Sequence, residues 1–341
     1  MATFTTAGTE NRMRWDRRKP GFMEVWYSTL NHTASGGGVW LRYTLTSPSA
    51  GADRGYCELW GFFFDPDGKR TFAAKDRFPL DRLGAPNGRD DGALVRIGDS
   101  WLSENHLEGS LARDGRSLQW SLDFEPADRC FQHLPEQLRT RIETRVSTVC
   151  SPNLDVPFFG VVKLDDDELV FDGEHGSQSH RWGAKHSSTW AWAHCSRFED
   201  GSDSVFEGVA AQASLGPVPA PTTTFLYLRY RGEDIAFNEL RWALRARSRY
   251  ELPTWSFTAR NNDWKIAGAA RATTDRLLQV RYEDPDGAER FCANSEIADI
   301  AIEVYRRGQQ GWLHHGSLTA LRTAHLEFGR KQPFEEIPVT L

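Results

Sequence analysis

The chain has 341 residues, of which 39% are hydrophobic and 26% charged, a mix that suits a soluble globular protein with a real core. Its length is comfortable for two domains of roughly 150–170 residues each. The formal net charge of −6 gives no basic field for nucleic acid, so no nucleic-acid partner is expected.

Residues 1–19 read as a loose lead-in with five basic residues between Arg12 and Lys19. That run is a solvated arm or, more sharply, a peripheral contact to an anionic membrane. From Phe22 onward the pattern becomes short alternating segments divided by turn residues, which predicts an all-β fold. Strands are expected over 22–30, 39–45 and 57–64, with a Gly-rich loop at 31–38. Asp65-Pro-Asp-Gly68 closes the third as a hairpin turn. Leu118-Gln-Trp120-Ser-Leu122-Asp-Phe124 is the cleanest alternation, apolar on one face and polar on the other. Residues 134–146 suit a short helix with Pro135 in its first turn, although their Thr and Val are equally at home extended. Asp165-Asp-Asp167-Glu168 is expected to be a hairpin tip, since it lacks the spacing of a calcium loop. Strands then resume over 205–214, 224–230, 255–260, 264–271, 277–282, 297–306 and 312–328, with a Pro-rich linker or loop at 215–221. Asp284-Pro-Asp-Gly287 repeats the earlier turn, through duplication of a β-domain or reuse of a common turn. Roughly seven to nine strands fall on each side of residue 200, enough for two barrels or sandwiches. The division is placed between residues 1–198 and 199–341.

Chemistry concentrates between His175 and Cys195, which hold Trp182, Trp190 and Trp192 together with His175, His180, His186 and His194. Alternation puts His180 and Trp182 on one face of a first strand, and Trp190, Trp192 and His194 on one face of a second. Such faces line a ligand pocket or pack two sheets together. Thirteen tryptophans favour walls and interfaces, because a buried indole N–H wants a partner. Their π-faces also stabilise cationic carbon by about 0.5–2 kcal/mol per ring. Glu24, between Phe22 and Trp26, and Glu207, beside Phe206, are inward acids with raised pKa or exposed residues of reversed strands. His194 is a proton donor and acceptor or a histidine satisfied by the backbone. The candidate catalytic residues are therefore His194, His180, Glu24 and Glu207. The candidate substrate-binding residues are Trp26, Trp182, Trp190, Trp192, His186 and Tyr227. The histidine spacing does not force convergence on a metal, and no metal is expected. Glycine-rich phosphate loops and the Gly-x-Ser-x-Gly elbow are missing, so no nucleotide or other cofactor is expected. The five scattered cysteines contain no Cys-x-x-Cys pair, the first thirty residues have no signal-peptide core, and no long apolar run occurs. A soluble, cytoplasmic protein is expected.

Phe22-Met-Glu-Val-Trp-Tyr27, Ser151-Pro-Asn-Leu-Asp-Val-Pro-Phe-Phe-Gly160, His180-Arg-Trp-Gly183 and Trp190-Ala-Trp-Ala-His194 carry a family resemblance. Together they resemble the lipocalin-like superfamily of carotenoid 1,2-hydratases, AttH-like proteins and tocopherol cyclases, in a layout running from Trp15 to Phe328. The resemblance implies two tandem lipocalin-like antiparallel β-barrels. It also implies cofactor-free addition, cyclisation or isomerisation of a hydrophobic polyene, terpenoid or polyketide. In the hydratases an acid precedes His-x-Trp-Gly, and a Tyr-x-Asp pair lies on a following strand. Here those places hold Ser179 and Phe206-Glu207-Gly208, which turns the expectation from plain hydration toward a cyclase or isomerase. The alternatives are a non-catalytic carrier of an apolar metabolite and a carbohydrate-active β-protein with a carboxylate pair.

Overall fold

Aromatic and β-branched residues dominate the alternating segments, and these become strands. The computed structural model describes residues 4–6, 8–50, 54–84, 92–134, 139, 146–213 and 220–341. The first sheet contains β1 (Phe4–Thr6), β2 (Phe22–His32), β3 (Gly37–Ser47), β4 (Tyr56–Phe64), β5 (Phe72–Pro79), β6 (Leu83–Gly84), β7 (Ala93–Ile97), β8 (Ser100–Ser103), β9 (His106–Arg113), β10 (Arg116–Phe124), β11 (Arg129–Gln132), β12 (Ser147–Leu164) and β13 (Asp167–Gly183). The second contains β14 (Thr189–Cys195), β15 (Val205–Gln212), β16 (Thr223–Tyr230), β17 (Glu233–Ala236), β18 (Arg247–Glu251), β19 (Thr254–Arg260), β20 (Trp264–Arg271), β21 (Leu278–Glu283), β22 (Glu289–Gly308) and β23 (Gly311–Arg330). The pairings between these strands are antiparallel.

One plan is used twice. In each sheet the opening strands form a meander, and the first long strand lies beside the last: β2 against β13, and β14 against β23. The last strand is one arm of the longest hairpin, β12–β13 turning at Asp165 and β22–β23 at the far end of the second sheet. Each sheet curls around its own core. Trp26, Leu41, Tyr43, Trp120 and Phe158 fill the first, and Phe206, Trp255, Ile300 and Leu326 fill the second. The chain is thus two tandem lipocalin-like antiparallel barrels, with the edge problem of an open sheet reduced by curling. In β10 the expected alternation holds, with Leu118, Trp120, Leu122 and Phe124 buried and Gln119, Ser121 and Asp123 exposed. Both Asp-Pro-Asp-Gly segments are tight turns, the amide of Gly68 donating to the Asp65 carbonyl (3.0 Å) and that of Gly287 to Asp284 (2.8 Å).

Two expectations are corrected. The sheets change between Gly183 and Thr189, not at 198/199, because β14 pairs with β15 and β23 and so opens the second barrel. The lead-in is not loose over residues 8–19: it straps into the first barrel. There Glu24 accepts the amides of Arg14 (2.6 Å) and Trp15 (2.9 Å), and Trp26 Nε1 donates to the Asn11 carbonyl (2.8 Å). The helix expected over 134–146 falls mostly on residues 135–138 and 140–145, which lie outside the described residues, as does most of the Pro-rich 215–221 segment. All five cysteines are free and buried. Among the described residues no helix is long and apolar enough to cross a membrane.

The outer faces of the two sheets meet in a third apolar cluster. Trp40, Trp60, Phe62 and Phe64 of the first barrel pack against Trp190, Trp192, Tyr282 and Ile297 of the second. Full burial of such aromatic side chains is worth on the order of 2–3 kcal/mol each. Gly38 marks the closest approach: a Cβ there would lie 2.5 Å from Glu296 Cβ and 2.7 Å from its carbonyl oxygen. Beside it Asn31 Nδ2 donates to that same carbonyl (2.8 Å).

Candidate active site

A cavity of about 300 Å³ opens on this seam. Its floor comes from the second sheet in two cross-strand rows. Phe225, Val209, Trp192 and Glu327 form one row, and Thr223, Ala211 and Trp190 the other, continued by Gly329 on β23. Position 329 is glycine for a packing reason, since a Cβ there would stand 2.1 Å from the Trp190 ring. Its opposite wall is the outward face of β13, β2 and β3: Arg181 pairs with Val25, and Tyr27 with Arg42, while Trp40 lies further along β3. Tyr282 and His133 complete the sides used below.

Five titratable side chains meet at the edge of the floor, around the next cross-strand row on the same face of the sheet. Glu207 faces His194 across β14–β15, and His194 faces His325 across β14–β23. Glu207 accepts from Trp192 Nε1 (2.6 Å), His133 Nε2 (2.7 Å) and His194 Nδ1 (2.9 Å). Burial alone would push its carboxyl up, but the hydrogen bonds and charge of His133 and His194 outweigh it and hold Glu207 at about 2. Beyond His194 the His325 ring stacks at 5.7 Å, with its Nδ1 against Glu296 Oε2. Burial drives this second pair to neutrality, raising Glu296 well above the carboxylate range and lowering His325 to about 3. The two groups face each other without a hydrogen bond of acceptable geometry. The floor combines a fixed anion at Glu207 with a neutral carboxyl–imidazole pair.

Glu327 differs from both because it lines the cavity itself. It accepts from Trp190 Nε1 at 3.2 Å. Burial among aromatic rings raises its carboxyl, even though the Arg42 and Arg181 guanidiniums pull the other way. This is the environment that tunes a carboxyl for general-acid work.

The expected site residues divide. Trp190 and Trp192 line the cavity. His194 and Glu207 lie buried beside Trp192, in the next cross-strand row of the same face, and do not line the cavity. His186 sits behind the wall, against both Trp190 (5.5 Å) and Tyr282 (4.9 Å), whose rings lie 6.4 Å apart, and donates through Nδ1 to Asp284 (2.6 Å). Tyr227 is a packing residue instead: its hydroxyl donates to Asp234 (2.6 Å) and its ring meets Phe4 and Phe131. His180, Glu24, Trp26 and Trp182 are corrected most firmly, because their faces point into the first barrel and not to the seam. His180 stacks on Trp26 at 4.7 Å, bonds Glu24 through Nε2 (2.8 Å) and donates through Nδ1 to the Glu10 carbonyl (2.6 Å), so the cluster fastens the N-terminal strap. Ser179 shares the outward face with Arg181 and bonds Ser151 (2.8 Å). The sequence reading missed Glu327, His133, Arg42 and Arg181. Of these, Arg42 alone carried a signal, a charged side chain on a strand buried along its length. Among the described residues no group of three or more His, Cys, Asp or Glu side chains is arranged to hold a metal ion.

Two curled sheets in tandem with an aromatic cavity on their seam define a lipocalin-like double-barrel protein. The chain belongs to the tocopherol cyclase-like family, whose profile matches residues 158–330. An uncharacterized protein of Mycobacterium tuberculosis strain H37Rv is 27% identical over 322 residues, covering 93% of this chain and 88% of that protein. Among solved structures, the chain shares its fold with a protein described as an AttH from Nitrosomonas europaea (TM-score 0.51, 12% identity, 96% of this chain and 100% of that one). Kievitone hydratase from Nectria haematococca is similar too (0.52, 9%, 97% of each chain), as is CghA (0.55, 9%, 96% and 97%).

Proposed function

We propose that this protein is a cofactor-independent enzyme of the cyclase or hydratase kind that acts on a hydrophobic polyene, terpenoid or polyketide in the seam cavity. The observation that carries the reading is Glu327, a carboxyl with raised pKa lining an aromatic cavity. In its protonated form it gives a proton to one carbon of a double bond, and the partner carbon becomes cationic. Trp190, Trp192 and Trp40 present π-faces to that charge, worth about 0.5–2 kcal/mol for each well-placed ring. The cation is then captured by a second double bond or a hydroxyl of the same molecule, closing a ring, or by water, giving an alcohol. The proton released in the last step returns to the Glu327 carboxylate, so no cofactor is consumed. A lining made mostly of carbon excludes water and favours internal capture. Glu207, tied to Trp192 Nε1, fixes that ring's orientation and puts a negative charge at its edge. The names of the family and of kievitone hydratase support this class of chemistry. At about 30 Å³ for each water-sized group, the cavity holds roughly ten such groups, which suits the reacting end of a longer chain or a compact terpenoid.

Turnover in D₂O tests the reading. The wild-type chain, incubated with a panel of polyenes and terpenoids, is expected to release product carrying one carbon-bound deuterium. Glu327→Gln is expected to retain ligand binding and lose product. Equal turnover by Glu327→Gln and wild type would overturn Glu327 as the acid. Tight binding by the wild type with no product from any panel member would make the protein a carrier.

A further inference from the structure

The cavity contains two cations that an apolar substrate alone does not use. Arg42 and Arg181 both line it, on the same outward face of β13–β2–β3 and separated by a single strand. Among the described residues neither forms an ion pair within 4.0 Å. Arg181 donates Nε (2.8 Å) and one terminal nitrogen (2.5 Å) to a single hydroxyl, Ser147 Oγ. Arg42 donates Nε to Thr44 Oγ1 (3.0 Å) and lies over the rings of Tyr282 (4.4 Å) and Trp60 (5.1 Å). A guanidinium carries five N–H donors, so most of both forks remain uncommitted. Two like charges side by side in a mostly carbon-lined space are unfavourable unless an anion joins them. Burial together with the Arg42 charge already lowers the Arg181 pKa.

We propose that the substrate is an acid-terminated apolar molecule, its carboxylate held between the Arg42 and Arg181 forks and its hydrocarbon part lying against Trp190 and Trp192. This rests on the reading of the cavity as a substrate site and names the class of substrate. A planar carboxylate accepts two parallel N–H bonds from one guanidinium, and two such forks grip it from both sides. The carboxylate also fixes which end of the chain reaches Glu327. By compensating both arginines it removes the charges that pull the Glu327 proton away, so the bound acid keeps its own catalyst protonated.

Three matched ten-carbon probes test the proposal against the purified full chain, with tryptophan quenching as the readout: geranic acid, geraniol and geranyl diphosphate. Geranic acid is expected to bind the wild type about tenfold or more tighter than geraniol, as hydrogen bonds to a charged group imply. Arg181→Met is expected to erase that preference, weakening geranic acid far more than geraniol, and Arg181→Lys to keep part of it. The comparison within the wild type stands even if a variant does not fold. Equal affinity for acid and alcohol overturns the anionic substrate while the cavity remains a ligand site. Tightest binding of the diphosphate overturns the carboxylate in favour of a phosphate. If none of the three binds, the cavity reading fails and the proposal fails with it.

Discussion

Replacing Glu207 by Gln isolates the energetics of the buried anion. In the wild type one carboxylate accepts three hydrogen bonds, at 2.6, 2.7 and 2.9 Å. A glutamine oxygen keeps the bonds from Trp192 and His133, but its amide meets His194 Nδ1 donor to donor unless that imidazole changes tautomer. The change would place a proton on His194 Nε2, which has no partner. A hydrogen bond to a charged group is worth about 1.5–3 kcal/mol and one between neutral groups about 0.5–1.5, so three bonds lose roughly 3 kcal/mol together. The shift of Glu207 from 4.5 to about 2 leads to the same figure, about 3 kcal/mol by linkage. The folded carboxyl is the stronger acid, so this stability is present above pH 4.5 and is lost as pH falls from there toward 2. At pH 7.5 Glu207→Gln is expected to melt about 6–12 °C below the wild type. The gap should shrink below pH 4.5, where the protonated wild type comes to resemble the variant. A gap under about 2 °C at pH 7.5, or one that does not change with pH, would refute the charged network.

His186 is held neutral, its pKa lowered to about 4 by burial and by the nearby Arg181 charge. The unfolded chain takes up a proton below about 6.5 that the folded chain refuses, so the stability gap between wild type and His186→Asn should narrow by about 2 kcal/mol from pH 7.5 to pH 5 in paired denaturant titrations. Gly329→Ala forces a methyl into the Trp190 ring. Overpacking of this kind costs about 1–3 kcal/mol, and displacement of the indole should red-shift tryptophan emission and weaken cavity ligands. Deleting residues 1–15 removes the amide donors of Arg14 and Trp15 from the Glu24 carboxylate and the Glu10 carbonyl from His180. The shortened chain is expected to lose about 3 kcal/mol or more, part of it recovered by Glu24→Gln, and an unchanged melting temperature would refute the strap.

Strands, turns and the use of two barrels were legible because period-two alternation and Asp-Pro-Asp-Gly are local signals. Which face of a strand looks inward was not legible at the centre of the molecule. β2 and β3 are buried on both faces, one by their own barrel and the other by the neighbouring barrel, so the pattern that orients β10 carries no such information there. His180 and Trp182 were therefore placed on the seam, when their neighbour Arg181 holds that position. Trp190 and Trp192 do face the cavity, because β14 turns toward it the same residues that the motif brings to notice. Glu327 was hidden by distance along the chain. Nothing near Ala324-His325-Leu326-Glu327 announces that a strand more than a hundred residues away lies across from Trp192.

Each barrel is closed by its first and last long strands: Met23 pairs with Gly183, and Trp190 with Gly329. Closure therefore joins chain ends separated by almost the whole length of each unit, after the meander and hairpin between them have formed from nearer contacts. Such distant pairing carries the largest loop-closure entropy and comes late in folding. On a ribosome the first barrel is not finished until β13 has emerged, and only five residues then separate it from β14. The half-made seam, with Trp40, Trp60 and Phe62 uncovered, exists for as long as the second barrel takes to be synthesised and closed. That interval, rather than the finished protein, is where this chain is most exposed to aggregation.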